Sequence, residues 1–182
     1  MSQIVIISGS PSAPSRTDLI LKHVQSLEEK NGFTSEYVSV RDFSADILVN
    51  ARYDSPEIEK LSQAILNADG VIIGSPVYKA SYTGVLKSLI DLLPEGAFKN
   101  KPVLPIMVGG SMAHLLAIDY SLKPLIAILK GQPIQGLYFI DKQIDKTDEN
   151  MPLKDEELIE RLNNQLEQFE EAVHKEKHFR NR

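Results

Sequence analysis

The sequence predicts an α/β fold, a doubly wound five-stranded parallel sheet in the order 2-1-3-4-5 with helices on both faces. Two observations carry this expectation. Short apolar runs alternate along the chain with longer amphipathic ones. Such alternation asks for parallel strands joined by right-handed crossovers. The two chemically unusual loops, residues 9–17 and 76–84, follow the first and third apolar runs. In the order 2-1-3-4-5 those two strands are neighbours, so their loops meet at the switch point where open sheets bind ligands.

The first strand is Ile4-Val5-Ile6-Ile7, halted at Gly9. After the loop an amphipathic run opens at Thr17 and is read as a helix over residues 18–31. Leu19, Ile20, Val24 and Leu27 share one face of it, Glu28, Glu29 and Lys30 are assigned to water, and Gly32 is the C-terminal stop. Residues 35–40 alternate as a second, more exposed strand, and residues 41–55 form a long connection. Ser55 as N-cap and Pro56 at the first helical position open a helix to about Ala68. Residues 70–75 are apolar throughout, as a strand covered on both faces would be.

A helix over residues 85–93 is stopped by Pro94, and the fourth strand, residues 103–108, closes on Gly109-Gly110-Ser111. Residues 113–130 form a long apolar helix interrupted at Pro124. Pro124 has no N–H, and its ring clashes with the carbonyl of Tyr120, so the helical ladder breaks there; a π-bulge is one way to absorb the break. The apolar residues from Leu115 to Leu129 exceed what one sheet face needs, which leaves an oligomer contact or a kinked core helix. Residues 134–140 are the fifth strand, residues 141–152 a polar connection, and residues 153–177 a terminal amphipathic helix before a frayed end.

The 182 residues fit one domain spanning 1–182, and 42% hydrophobic residues suffice for a core. A formal charge of -5 gives no reason to expect nucleic acid or an anionic membrane as partner. Cysteine is absent, no secretory signal precedes the first strand, and no apolar run spans a bilayer, so the expected location is cytoplasmic. No cluster has metal-ligand spacing, and no Ser-His-Asp set can be argued.

The first loop offers Ser8, Ser10, Ser12, Ser15 and Thr17 with one cation, Arg16. Free amides at a helix start, hydroxyls and a guanidinium make a phosphate site; the same residues also suit a plain turn capped by Thr17. Gly-Lys-Ser/Thr and Gly-x-Gly-x-x-Gly are both missing, which excludes the nucleoside triphosphatase loop and the dinucleotide fingerprint. The lack of cysteine excludes a Cys-loop phosphatase. A loop that holds a terminal phosphate without cleaving it remains.

The second loop supplies Pro76, Val77, Tyr78, Lys79, Ala80, Ser81, Tyr82 and Thr83, and the third Gly109, Gly110 and Ser111. Small residues let backbone approach a flat ring, and an aromatic can cover its edge or face. FMN, a flat ring system with a terminal phosphate, fits such a crevice. Tyr78 and Tyr82 are equally suited to packing between loop and helix, and Lys79 reads as a solvated charge rather than a catalytic group. His114 is a binding-rim or structural residue; His23, His174 and His178 read as surface residues.

Three blocks resemble the NADPH-dependent FMN reductases of the flavodoxin-like superfamily. They are Gly9-Ser10-Pro11 with Ser15-Arg16, the run from Ser75 through Gly84 continuing to Pro94, and Gly109-Gly110-Ser111 through His114 to Tyr120 and Pro124. Within that family the likeness is nearest to the alkanesulfonate-assimilation FMN reductases, the reductase halves of two-component monooxygenases. The resemblance implies hydride transfer from NADPH to N5 of FMN with no catalytic side chain, and release of reduced flavin to a partner monooxygenase. It implies phosphate contacts at Ser10, Ser15, Arg16 and Thr17, and ring contacts along residues 76–81 and 109–111. It also implies a π-bulge at Tyr120 in an oligomer interface, tetrameric or dimeric, linked to use of flavin as a substrate. Two other readings stay open: an enzyme of the same fold that keeps FMN as a prosthetic group to reduce a quinone, azo dye or metal ion, and a flavodoxin-like electron carrier.

Overall fold

The computed structural model describes residues 2–180. Its sheet is parallel, in the order β2-β1-β3-β4-β5, with β6 also paired to β4. The strands are β1 (Ser2–Ser8), β2 (Phe33–Ser39), β3 (Gly70–Pro76), β4 (Pro102–Gly109), β5 (Gln132–Pro133) and β6 (Leu137–Ile140). The helices are α1 (Arg16–Lys30), α2 (Ala45–Val49), α3 (Pro56–Asn67), α4 (Gly84–Ile90), α5 (Lys123–Ile128) and α6 (Glu156–Arg180). The order is the one the sequence predicts, and β1, β3 and β4 are buried along almost their whole length, as central strands covered on both faces must be.

Two apolar layers sandwich the sheet. On one face α1 and α6 place Ile20, Leu21, Val24, Leu162, Leu166, Phe169 and Val173 against Ile4, Ile6, Ile72 and Leu104. On the other, α3, α4 and α5 place Ile58, Leu61, Leu86, Leu89 and Ile126 against Val5, Ile7, Val71 and Val103.

Several boundaries differ from the sequence reading. Ser15, not Thr17, caps α1, its Oγ accepting from the Asp18 amide at 3.3 Å, and the helix starts at Arg16. Both residues carry hydroxyls, so local chemistry alone does not choose between them. Glu28, assigned to water, is fully buried, because it continues the inward stripe of Leu21 and Val24. His23 is half-buried, with Nδ1 3.0 Å from the Asn150 carbonyl. The connection after β2 holds a 3-10 turn at Val40–Asp42 and the short α2.

The single fifth strand is in fact two. β5 and β6 pair with successive parts of β4, and the gap falls beside Pro105. At Gly136 (φ +91°) a side chain would meet the Pro105 ring and carbonyl at 2.7 Å. The chain bends away there and the Gly136 amide donates instead to Gln165 Oε1 at 3.0 Å.

The long helix expected over 113–130 is three pieces: a 3-10 turn (Met112–His114), a π turn (Ile118–Leu122) and α5. The Lys123 amide donates to the Ile118 carbonyl, five residues back, and Pro124 has no N–H for the Tyr120 carbonyl. The sequence expectation of a break at Tyr120 therefore holds. The stretch 141–152 is tied down by an Ile144–Leu153 bridge, so Leu153 precedes α6 instead of opening it. The end is not frayed through Arg180, which pairs with Asp69 together with Lys177. Asn181 and Arg182 lie outside the described residues. No helix of the described residues is long and apolar enough to cross a membrane.

Candidate active site

The three loops at the C-terminal edge of the sheet are hydrogen-bonded into one rim. The Gly9 amide donates to the Gly74 carbonyl at 2.7 Å, and Thr83 Oγ donates to the Gly9 carbonyl at 2.6 Å. Thr83 also caps α4, its Oγ accepting from the Leu86 amide, while its own amide donates to Ser75 Oγ. A side chain at Gly9 would sit 2.8 Å from Leu86, so glycine is what lets the first loop close onto α4. The third loop joins through the Val77 amide, which donates to the Val108 carbonyl at 2.8 Å. Tyr138 Oη donates to the Ser111 carbonyl at 2.6 Å and fills the space a Gly109 side chain would need. Burial pushes the Tyr138 phenol up, with Asp141 adding to the effect, so it stays a neutral donor.

Within the first loop Ser10 is buried; its amide donates to Ser8 Oγ and its hydroxyl to the Ser12 carbonyl, both at 3.3 Å. Ser15 and Thr17 are buried in the first turn of α1. The amides of Arg16 and Thr17 precede the first intrahelical bond and have no partner among the described residues. Arg16 lies 3.8 Å from Asp141 across the loop after β6, and its Nε is buried with no hydrogen-bond partner among the described residues. A buried donor left unpaired costs about 1–3 kcal/mol, which an anion at this helix start would recover. That is the chemistry of the FMN phosphate, and the donor set fits it.

The second loop turns tightly. Tyr78 and Ser81 exchange backbone hydrogen bonds at 2.9 and 3.2 Å, and the two residues between them, Lys79 (φ 51°) and Ala80 (φ 64°), are both left-handed. This is the two-residue hairpin that ordinarily takes Asn-Gly. Strain of this kind gathers at binding sites and is held by the surrounding structure. Pro76 and Val77 are half-buried, Tyr78, Lys79 and Ala80 exposed, and Ser81 half-buried at the rim. Gly110 is exposed, and a side chain there would meet nothing within 4 Å, so the open space beside it belongs to no protein atom. Exposed Ser111 caps the turn that carries half-buried His114, its Oγ accepting from the Ala113 amide at 3.3 Å. Tyr120 stands apart from this rim on the π turn, 80% exposed.

Sequence reasoning missed a second layer beneath the first loop. Asp18, buried, accepts from Ser8 Oγ at 2.5 Å, Tyr37 Oη at 2.8 Å and Arg41 at 2.8 Å. Arg41 also donates to the carbonyls of Ser10 at 2.7 Å and Ser12 at 3.1 Å. Burial raises the Tyr37 phenol, and the Asp18 charge raises it further. The signal available was positional: Arg41 lies two residues past the end of the second strand, which the order 2-1-3-4-5 sets beside the first. A cavity of about 530 Å³ runs along the outer side of α1 from Lys30 and His23 to the first loop, where Ala13, Pro14, Ser15, Asp18 and Arg41 line it. Among the described residues no three His, Cys, Asp or Glu side chains gather as a metal site.

A parallel doubly wound sheet, with a donor-rich helix start and a glycine-lined rim at its switch point, defines a nucleotide-binding α/β protein of flavodoxin-like form. The chain belongs to the NADPH-dependent FMN reductase family, whose model matches residues 2–145. It is 44% identical over 172 residues to an FMN reductase (NADPH) of Pseudomonas putida, covering 93% of this chain and 87% of that one. It is 40% identical over 176 residues to the FMN reductase (NADPH) of Escherichia coli, covering 95% and 91%. The crystal structure of an NADH:FMN oxidoreductase, EMOB, in its apo form superposes with a TM-score of 0.82 at 31% identity, covering 93% of this chain and 88% of that one. The protein is an NADPH-dependent FMN reductase, and FMN and NADPH are its cofactors.

Proposed function

We propose that the FMN phosphate sits at the start of α1, held by the Arg16 and Thr17 amides, the Arg16 guanidinium and the hydroxyls of Ser10, Ser15 and Thr17. The observation that carries this reading is the buried, unpartnered Nε of Arg16 beside free helix-start amides. The ring then lies along residues 76–81, with its far edge over Gly109, Gly110 and Ser111, beside the open space at Gly110. His114 borders that edge. When bound, FMN supplies the acceptor for the NADPH hydride. The chain's own work is to bind and orient. The Lys79–Ala80 turn presents a preset backbone to the ring, Thr83 and Tyr138 keep the three loops in register, and no side chain has to move a proton.

In this reading FMN is exchanged as a substrate and leaves reduced for a partner flavin-dependent monooxygenase, with organosulfur compounds such as alkanesulfonates as the class it serves. Supporting it are the π turn at Tyr120 and the block-by-block resemblance to reductases of such systems. Met112, Leu115, Leu116, Tyr120 and Ile128 are exposed along the same segment, an apolar surface suited to a homodimer or homotetramer.

The test is a flavin titration with steady-state kinetics on desalted protein. Arg16→Ala is expected to weaken FMN binding roughly 10–100-fold, the value of one hydrogen bond to a charged group, and to raise the KM for FMN far more than it lowers kcat. Unchanged affinity would sink the phosphate placement. Colourless protein that oxidises NADPH only when FMN is added supports the substrate reading; yellow protein that needs another acceptor overturns it.

A further inference from the structure

We propose that Asp18, Tyr37 and Arg41 form a latch beneath the first loop, in which Arg41 is a positioning residue that sets the preference for FMN over riboflavin. The inference rests on the phosphate placement proposed above. Its basis is the way one guanidinium spans two elements. One terminal nitrogen of Arg41 is 2.8 Å from Asp18 in the first turn of α1; the other holds the carbonyls of Ser10 and Ser12 at 2.7 and 3.1 Å. Both terminal nitrogens are thus engaged by protein.

The consequence follows from peptide geometry. In a trans peptide the carbonyl and the next amide point in opposite directions. Drawing the Ser12 carbonyl to Arg41 turns the Ala13 N–H the other way, and drawing in the Ser10 carbonyl removes a partial negative charge from the loop's other side. The loop thereby shows an anion its donors rather than its acceptors. Asp18 alone would oppose a phosphate at the same helix start; the Arg41 guanidinium offsets that charge. The carboxylate is fixed in turn by the Ser8 hydroxyl on β1 and the Tyr37 hydroxyl on β2, so the latch is anchored in the two strands that flank the loop. About a third of the Arg41 side chain stays exposed, so the residue can be replaced without opening the core.

The experiment compares FMN with riboflavin, which has the same ring and no phosphate, by quenching of flavin fluorescence, with thermal melts confirming that each variant is folded. Arg41→Met is expected to weaken FMN about tenfold, one charge-assisted hydrogen bond's worth, while riboflavin changes less than about twofold. Arg41→Lys keeps the charge but not the planar fork, so FMN binding stays at least about threefold weak. This variant carries the same comparison if Arg41→Met does not fold. Equal loss for both flavins, no loss for either, or full recovery of FMN binding by Arg41→Lys overturns the latch. Arg16→Ala separates the two claims: if it lowers the FMN preference and Arg41→Met does not, the phosphate placement stands and only the latch falls.

Discussion

Asp18 and Glu28 lie at opposite ends of α1, and both are buried carboxylates. Asp18 takes hydrogen bonds from a serine, a tyrosine and an arginine. Glu28 takes none among the described residues: both of its carboxyl oxygens are buried without a partner there. Burial pushes the Glu28 carboxyl up to about 8, and the nearby Glu170 adds to the shift. The difference shows that burial alone does not give a carboxylate a task; the donors around it do. Asp18 faces the crevice, where a fixed charge can organise a loop. Glu28 faces α6, where it is a neutral filler beneath that amphipathic helix.

The largest effect is expected at Asp18. Asp18→Ala strips the acceptor from Ser8, Tyr37 and Arg41, and should destabilise the fold by about 3 kcal/mol in urea denaturation. A loss within error of zero would mean that the three donors find water instead. Glu28 should respond with the opposite sign. Glu28→Met removes an unpaired carboxyl in favour of an apolar chain of similar size, and should stabilise by roughly 2 kcal/mol at neutral pH, a melting temperature about 4–8 °C higher.

The Glu28 effect depends on pH. The Glu28 carboxyl has a raised folded value, so between its ordinary 4.5 and about 8 the unfolded chain gives up a proton that the folded protein keeps. Stability contributed by the neutral form is then lost progressively as pH rises through that window, and the loss is complete above it. The advantage of Glu28→Met should therefore be larger near pH 9 than near pH 5; equal gains at both would remove Glu28 as the cause. Smallest is Tyr37→Phe, which deletes one of the Asp18 donors and leaves the others. It should cost about 1 kcal/mol by the same urea measurement, and a cost as large as that of Asp18→Ala would show that the network cannot spare a member.

Much of this was legible in the sequence because it is written in local signals. Ser55-Pro56 opens α3, Gly32 (φ +90°) ends α1, and Pro124 breaks the ladder at Tyr120, each as its own chemistry requires. The parallel sheet then follows from the alternation of runs, and the strand order from five strands with the ligand loop after the first, which brings the three loops together. What stayed hidden depends on partners distant in sequence. The split of β5 from β6 is set by Pro105 on the neighbouring strand, and the ordering of residues 141–152 by the Ile144–Leu153 bridge. Glu28 was misread by charge when its phase with Leu21 and Val24 placed it inside. In the candidate site, the loops and Arg16 were visible as hydroxyls, glycines and a cation. The Arg41 contacts were not, because they are made to carbonyls, which every residue carries.

The position of α6 in the chain has a consequence during synthesis. α6 lays Leu162, Leu166, Phe169 and Val173 over β1, β3 and β4, and its last turn brings Lys177 and Arg180 to Asp69, whose carboxylate already holds the Gln3 amide. A ribosome delivers these residues after every strand of the sheet. Until then a nascent chain has its central strands made and one oily flank only partly covered, by α1, the condition in which unfinished proteins stick to one another. The final helix acts as a closing cover. A ribosome stalled short of it leaves a chain for chaperones to hold, even though the whole crevice that would receive FMN has already been translated.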